Sequence, residues 1–202
     1  AVSQPVTEDS LAYFRDAAAF RNYTLLELPH TTALAPGAAA PRDYAVTIAR
    51  NFLYGAFMVL AWGELLRSSD AQLAAIAERS LKEARYHLRH SRDWLVRLGD
   101  GTAESHERMQ AAIGHLMPYT QEFWTASAHE ARALEEGAGF DAAGLRTEWD
   151  ALVDDALAEA GLSRPAPGGH VPRGKERLHS EHLGWLLGEM QSLARQHPGA
   201  TW

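Results

Sequence analysis

The chain has 202 residues, with 19 lysines and arginines against 26 aspartates and glutamates, for a net charge of −7. That length suits one domain, or one domain with an appendage, and a chain near this size buries roughly 70% of its unfolded surface without staples. Cysteine is absent, which excludes disulfides, thiolate zinc sites, iron–sulfur clusters and cysteine nucleophiles, so any metal ligand is His, Asp or Glu. The acidic excess argues against nucleic acid as a partner, because phosphate binding needs a basic face. No uninterrupted apolar run approaches the ~20 residues of a bilayer span. The opening residues have neither a basic region nor an apolar core of the secretory kind. The expectation is a soluble cytoplasmic protein with no nucleic-acid or membrane partner.

Alanine, leucine, glutamate and arginine dominate over isoleucine and valine, which favours helix over strand. No period-2 strand or tight hairpin turn is evident. Residues 8–27 read as a short helix and an irregular approach, and 29–41 as a Pro/Gly/Ala linker. Pro41 suits the first turn of a helix that runs to about Arg67 and is apolar nearly all round, hence buried on most sides. Ser68, Ser69 and Asp70 cap a second helix, about 70–98, which Gly99-Asp100-Gly101 ends in a left-handed turn. Thr102 opens a third helix, with Glu104 and Ser105 nearby, running toward Trp124 with a bend at Pro118. A fourth spans about 142–161. Residues 163–174 form a Pro/Gly-rich loop, and a last helix covers about 176–196. The architecture is a single all-α domain over 1–202, an irregular segment and linker to 41 and an antiparallel bundle over 42–202.

Two of these helices carry polar groups beside apolar stripes. On the second, Leu73, Ala77, Leu81, Ala84, Leu88, Leu95 and Leu98 share one face. Beside them lie Ile76, Ser80, Glu83, His87, His90 and Trp94, a strip expected to be partly buried, with Glu83 and His87 within reach of each other. On the last helix, Leu178, His182, Trp185, Leu186, Glu189 and Leu193 share a face, and Gly184 and Gly188 leave room for a close neighbour. Carboxylates and histidines inside a bundle raise the question of a di-iron centre. Such a centre needs Glu-x-x-His on each of two helices, because i and i+3 aim both groups at one metal. Glu27-Leu-Pro-His30 has the letters but Pro29 makes it a poor helix. Glu176-Arg-Leu-His179 lies at a helix start. At Glu83 the i+3 position is Tyr86, and His87 follows one residue late. Glu83, Tyr86, His87, His182 and Glu189 are the candidate polar set, for which a buried Glu–His hydrogen-bond or ion-pair network is a simpler reading than a functional metal site. On that reading Glu83→Ala destabilises the fold. No nucleophile elbow or phosphate loop occurs. Gly168, Gly169 and His170, with Arg173 and Lys175, form a basic segment able to contact the phosphates of a ligand such as coenzyme A, or simply to be solvated. Trp62, Trp94, Trp124, Trp149 and Trp185 read as core or interface anchors. Trp202 is an end residue that is either disordered or docked on a partner.

Residues 73–113, LAAIAERSLKEARYHLRHSRDWLVRLGDGTAESHERMQAAI, resemble the PaaC family of the bacterial phenylacetyl-CoA 1,2-epoxidases. So do residues 174–202, with their His-Ser-Glu-His-Leu-Gly core, together with FRNYTLLELP at 20–29 and TIARNFL at 47–53. The resemblance covers nearly the whole chain. It implies a ferritin-like bundle and a non-catalytic subunit of a multicomponent oxygenase that epoxidises the ring of phenylacetyl-CoA. The resemblance also implies that the di-iron centre belongs to a catalytic partner, PaaA, with no metal, cofactor or catalytic residue in this chain, and that a reductase with flavin and iron–sulfur groups brings electrons from NADPH. Self-association is also open. The alternative is an independent ferritin-like di-iron oxidase or oxygenase. The family begins with a further segment containing two bundle helices, and this chain starts after them. The expectation is that another chain, or an associated piece, covers the apolar helix at 44–67.

Overall fold

The computed structural model describes residues 6–32, 41–166, 168–169 and 171–200. Among these the fold is all-helical, with no strand and one isolated bridge between Arg173 and Leu178. The α-helices are α1 (Glu8–Tyr13), α2 (Tyr44–Leu65), α3 (Ala71–Gly99), α4 (Ala103–Leu116), α5 (Ala128–Glu135), α6 (Arg146–Glu159) and α7 (His182–Gln196). Short 3-10 turns interrupt them, including Met117–Trp124, which is where α4 ends beside Pro118.

The chain divides into two compact units, 29–171 and a second built from both ends, 1–28 with 172–202. The last helix therefore groups with the N-terminal segment, whereas the sequence places everything from 42 onward in one bundle.

The bundle unit is built on α2 and α3. Asp43 caps α2 by accepting from Ala45 N–H at 2.9 Å, so the helix begins at Tyr44 and Pro41 lies outside its first turn. Val46, Ile48, Ala49, Phe52, Leu53, Ala56 and Phe57 are all buried, as expected of a helix apolar on most sides. By length and composition alone α2 is long and apolar enough to cross a membrane, and 67% of its most apolar window is buried inside the fold, as in a core helix. Asp70 caps α3 through the N–H groups of Gln72 and Leu73. The two helices run antiparallel: Tyr44 meets Trp94 edge-on, and a Cβ at Gly55 would touch Leu88 at 3.6 Å.

The turn after α3 differs from the sequence expectation. Gly99 and Gly101 are not left-handed; Gly137, Gly161 and Gly199 are the described glycines with positive φ. Gly99 is small for a packing reason, since a Cβ there would lie 2.6 Å from Ala160 O. Thr102 and Ser105 cap each other's backbone N–H to start α4. α6 closes the bundle with Trp149, whose Nε1–H donates to Leu53 O at 3.1 Å. Phe57, Phe123, Trp124 and Trp149 form one aromatic cluster, with Phe57 stacked on Phe123 at 4.6 Å. At the surface Arg92 of α3 pairs with Asp155 and Glu159 of α6 at 2.6 and 2.7 Å. Helix α5 was not anticipated, although Ser127 and Glu130 form a capping box that announces it.

In the terminal unit α7 starts at His182 rather than near 176. Arg177 sits at φ 70, in left-handed geometry that breaks the helix before it begins. α7 buries Leu183, Leu187 and Gln191. Gln191 Nε2–H groups donate to Ala12 O and Arg15 O, both at 2.9 Å, and Arg195 donates to Tyr13 O and Arg15 O. Ala12 O and Tyr13 O are carbonyls that the end of α1 leaves without helical partners, and Arg15 O lies just beyond its C-cap.

Candidate functional site

Three places bear on function: a groove on the bundle, a buried polar knot in the terminal unit, and the outward face of α7.

The groove lies between α2 and α3 and measures about 530 Å³. Asn51, Tyr54, Met58 and Trp62 line it from α2, and Ser80, Glu83, His87 and His90 from α3. Its floor is Gly55 and Ala84, small residues that let the two backbones approach. The middle of the strip, from Ser80 to His90, is thus the rim of an open groove. Glu83, Tyr86, His87 and His90 are exposed, Tyr86 at 56%. Among the described residues neither Glu83 nor the His87 ring makes a hydrogen bond or an ion pair; Tyr86 and His87 share only an edge-on ring contact at 5.8 Å. Their polar atoms are met by solvent, which removes the need for the buried network expected from the sequence. His182 and Glu189 belong to the other unit, on α7. Their side chains also make no hydrogen bond among the described residues, and Glu189 is exposed.

The polar knot was missed from the sequence. Glu27 is buried at 3% exposure. Its Oε1 accepts from Asn22 Nδ2 at 2.8 Å and lies 2.7 Å from His179 Nδ1. Its Oε2 accepts from Ser180 N–H at 2.7 Å and Ser180 Oγ–H at 2.8 Å. His179 Nε2 lies 3.0 Å from Phe20 O. The two Glu-x-x-His matches have exchanged partners: the glutamate of the first meets the histidine of the second. The other halves go elsewhere. Glu176 pairs with Arg173 at 2.5 Å. His30 Nδ1 accepts from Arg50 at 3.1 Å and lies 2.6 Å from Thr47 Oγ1. Burial and the charges of Arg50 and Arg42 push the His30 ring below the ordinary imidazole range. Burial and Arg50 do the same to His115. The signal for the knot was present in His179-Ser180, a histidine beside a hydroxyl with a free N–H, but nothing local named the acceptor 152 positions away.

The basic segment is also rearranged. Lys175 is 8% exposed, with Nζ 5.1 Å from the centre of the Tyr23 ring. Only Arg173 of the pair is at the surface, engaged by Glu176. The expected solvated pair of phosphate contacts is therefore not displayed, because burying the amine over an aromatic face takes it from water. His170 and Trp202 lie outside the described residues.

The residues do not fit a di-iron centre. Glu27 to His30 and Glu176 to His179 are not helical, so i and i+3 do not share a face. Glu83 is on a regular helix but has Tyr86 where a ligand should stand. No group of three or more His, Asp or Glu able to hold a metal occurs among the described residues.

Of the tryptophans, Trp149 is core and Trp124 packs against it. Trp185 on α7 is 78% exposed, with Leu186, Met190 and Leu193 also open to solvent.

An all-helical bundle with this sequence defines a class. The family model for phenylacetic acid catabolic proteins, PaaA_PaaC, matches residues 2–202. The chain belongs to that family, and its bundle is of the ferritin-like type. It is 42% identical over 195 residues to the C-type subunit of the 1,2-phenylacetyl-CoA epoxidase of Escherichia coli (strain K12), covering 96% of this chain and 74% of that protein.

Proposed function

We propose that this chain is a non-catalytic structural subunit of a phenylacetyl-CoA epoxidase, working in the cytoplasm in aerobic phenylacetate breakdown. The observation that carries the reading is the state of the three Glu-x-x-His positions. Two are off-helix, and the helical one has Tyr86 in place of histidine, so di-iron chemistry belongs to a related catalytic subunit, PaaA. Electrons would reach that subunit through a reductase carrying flavin and iron–sulfur groups and using NADPH. The contribution of this chain is surface. Stable interfaces between subunits bury ~2,000 Å² or more and resemble a core cut in half. The open face of α7, with Trp185, Leu186, Met190 and Leu193, has that character. So does the groove between α2 and α3.

The test is iron content after anaerobic ferrous reconstitution of the purified chain alone, followed by desalting. Near-zero iron is expected. About two irons per chain would overturn the reading and favour an independent di-iron oxidase.

A further inference from the structure

Helix α3 has a further face, which neither enters the core nor lines the groove. Arg79, Lys82, Tyr86 and Arg89 stand at i, i+3, i+7 and i+10, the spacing that sets side chains in one row. All four are exposed, and ten residues of helix make the row about 15 Å long. Residues 79–92 hold five cations and one carboxylate, in a chain whose net charge is −7. That carboxylate, Glu83, lines the groove instead. Of the five cations, Arg92 is taken by Asp155 and Glu159 of α6. Among the described residues Arg79, Lys82, Arg85 and Arg89 make no ion pair and no hydrogen bond. Other surface arginines, Arg67, Arg108, Arg132 and Arg164 among them, do find carboxylates. Like charges in a row on one helix repel each other, and an anion laid along the row would relieve that repulsion.

Two features describe the anion that fits. Three of the four free cations are arginines, whose planar forks hold phosphate through paired hydrogen bonds. The row also contains a ring. Tyr86 is 56% exposed, and the Arg89 guanidinium lies 5.7 Å from its centre, which makes a platform on which a nucleobase can stack. A carboxylate surface would use the cations and leave the ring idle, whereas an adenine nucleotide uses both. A coenzyme A thioester ends in adenine, a 3′-phosphate and a diphosphate. The phosphate contacts expected at Arg173 and Lys175 are closed off by packing, and α3 displays the cations that the segment does not. We propose that the outer face of α3 binds the nucleotide end of a coenzyme A thioester, with adenine on Tyr86 and the phosphates on Arg79, Lys82 and Arg89. The choice of thioester rests on the epoxidase reading. The face is open rather than cupped, so the ligand is held weakly and exchanges fast, which gathers a polyanionic substrate at the assembly without storing it.

Titration of the full chain with coenzyme A, followed by backbone amide shifts, tests the site. Shifts at 79–89 are expected to saturate, with an affinity that falls between about 0.02 and about 0.2 M salt. Lys82→Glu together with Arg89→Glu should weaken binding by about tenfold or more, and Tyr86→Leu by about fivefold or more. Inorganic triphosphate, which has no base to stack, should bind about fivefold or more below coenzyme A. Equal binding of the two, or an unchanged affinity in Tyr86→Leu, would overturn the proposal and leave a plain anion surface. Shifts confined to other helices would overturn it as well. Tighter binding of poly-L-glutamate than of coenzyme A would assign the face to an acidic protein instead. Should a variant fail to fold, the comparison of coenzyme A with triphosphate on the unmodified chain decides. Iron held by the reconstituted chain would sink the subunit reading without touching this result, and absent binding here would leave that reading as it stands.

Discussion

Gly174 shows how tightly the terminal unit is drawn together. A Cβ there would lie 2.8 Å from Thr24 Oγ1 and 3.1 Å from Thr24 N, and closer still to Asn22 O. Its own N–H donates to Thr24 Oγ1 at 3.2 Å. Two of these three atoms are backbone, so the backbone must move to admit a methyl group. Gly174→Ala is expected to cost about 1–3 kcal/mol, read by urea denaturation and as faster hydrogen exchange in residues 20–28. Glu83 is the contrasting case. It is exposed, and among the described residues its carboxylate has no partner, so Glu83→Ala should change stability by less than about 0.5 kcal/mol. A measured loss of about 2 kcal/mol or more would restore the buried network read from the sequence.

At the scale of elements, α3 and α7 show two ways of using an amphipathic helix. α3 buries Ala77, Leu81, Ala84, Ser91 and Leu95 and ends where Gly99 meets Ala160. The buried Ser91 hydroxyl donates to His87 O and Leu88 O of its own helix, which satisfies it without a partner from elsewhere. α7 buries only Leu183, Leu187 and Gln191, one narrow stripe. Its opposite side is apolar as well, which a helix serving only its own chain does not need. If a partner chain covers that side, Trp185→Ser together with Met190→Ser should reduce co-purification with the catalytic subunit by about tenfold or more. The melting temperature of the isolated chain should hold. Undiminished co-purification would send the search to the groove between α2 and α3.

At the scale of the molecule, the bundle unit carries an acid-sensitive pair. His30 Nδ1 accepts a hydrogen bond from Arg50, and a proton on that nitrogen would abolish it and set two cations against each other. Among the described residues His115 Nε2 is buried without a hydrogen-bond partner, and a charge there would face Arg50. Both rings are pushed below the ordinary value of 6.5. Below that value the unfolded chain takes up protons that the folded bundle resists, so stability falls as the pH drops and is complete above it. Urea denaturation followed at pH about 7 and about 5 should show the loss in the bundle unit. The double variant His30→Gln, His115→Gln should flatten it. An unchanged slope would remove these two rings as the cause.

The sequence by itself determined the helical class, the caps at Asp70 and Thr102, and the burial of α2. Each of these rests on neighbours within a few residues, where propensity, capping and apolar pattern act. The family was legible too, through the stretches at 73–113 and 174–202. The partners of Glu27 and His179 were not, because matching letters three apart say nothing when the backbone between them is not helical. Nor was the pairing of 172–200 with the first residues, the burial of Lys175 over Tyr23, or the open state of Glu83 and His87. Those outcomes depend on which surfaces meet across more than a hundred residues of chain. A charged side chain reads alike in the sequence whether tertiary packing brings it an acceptor or leaves it to water.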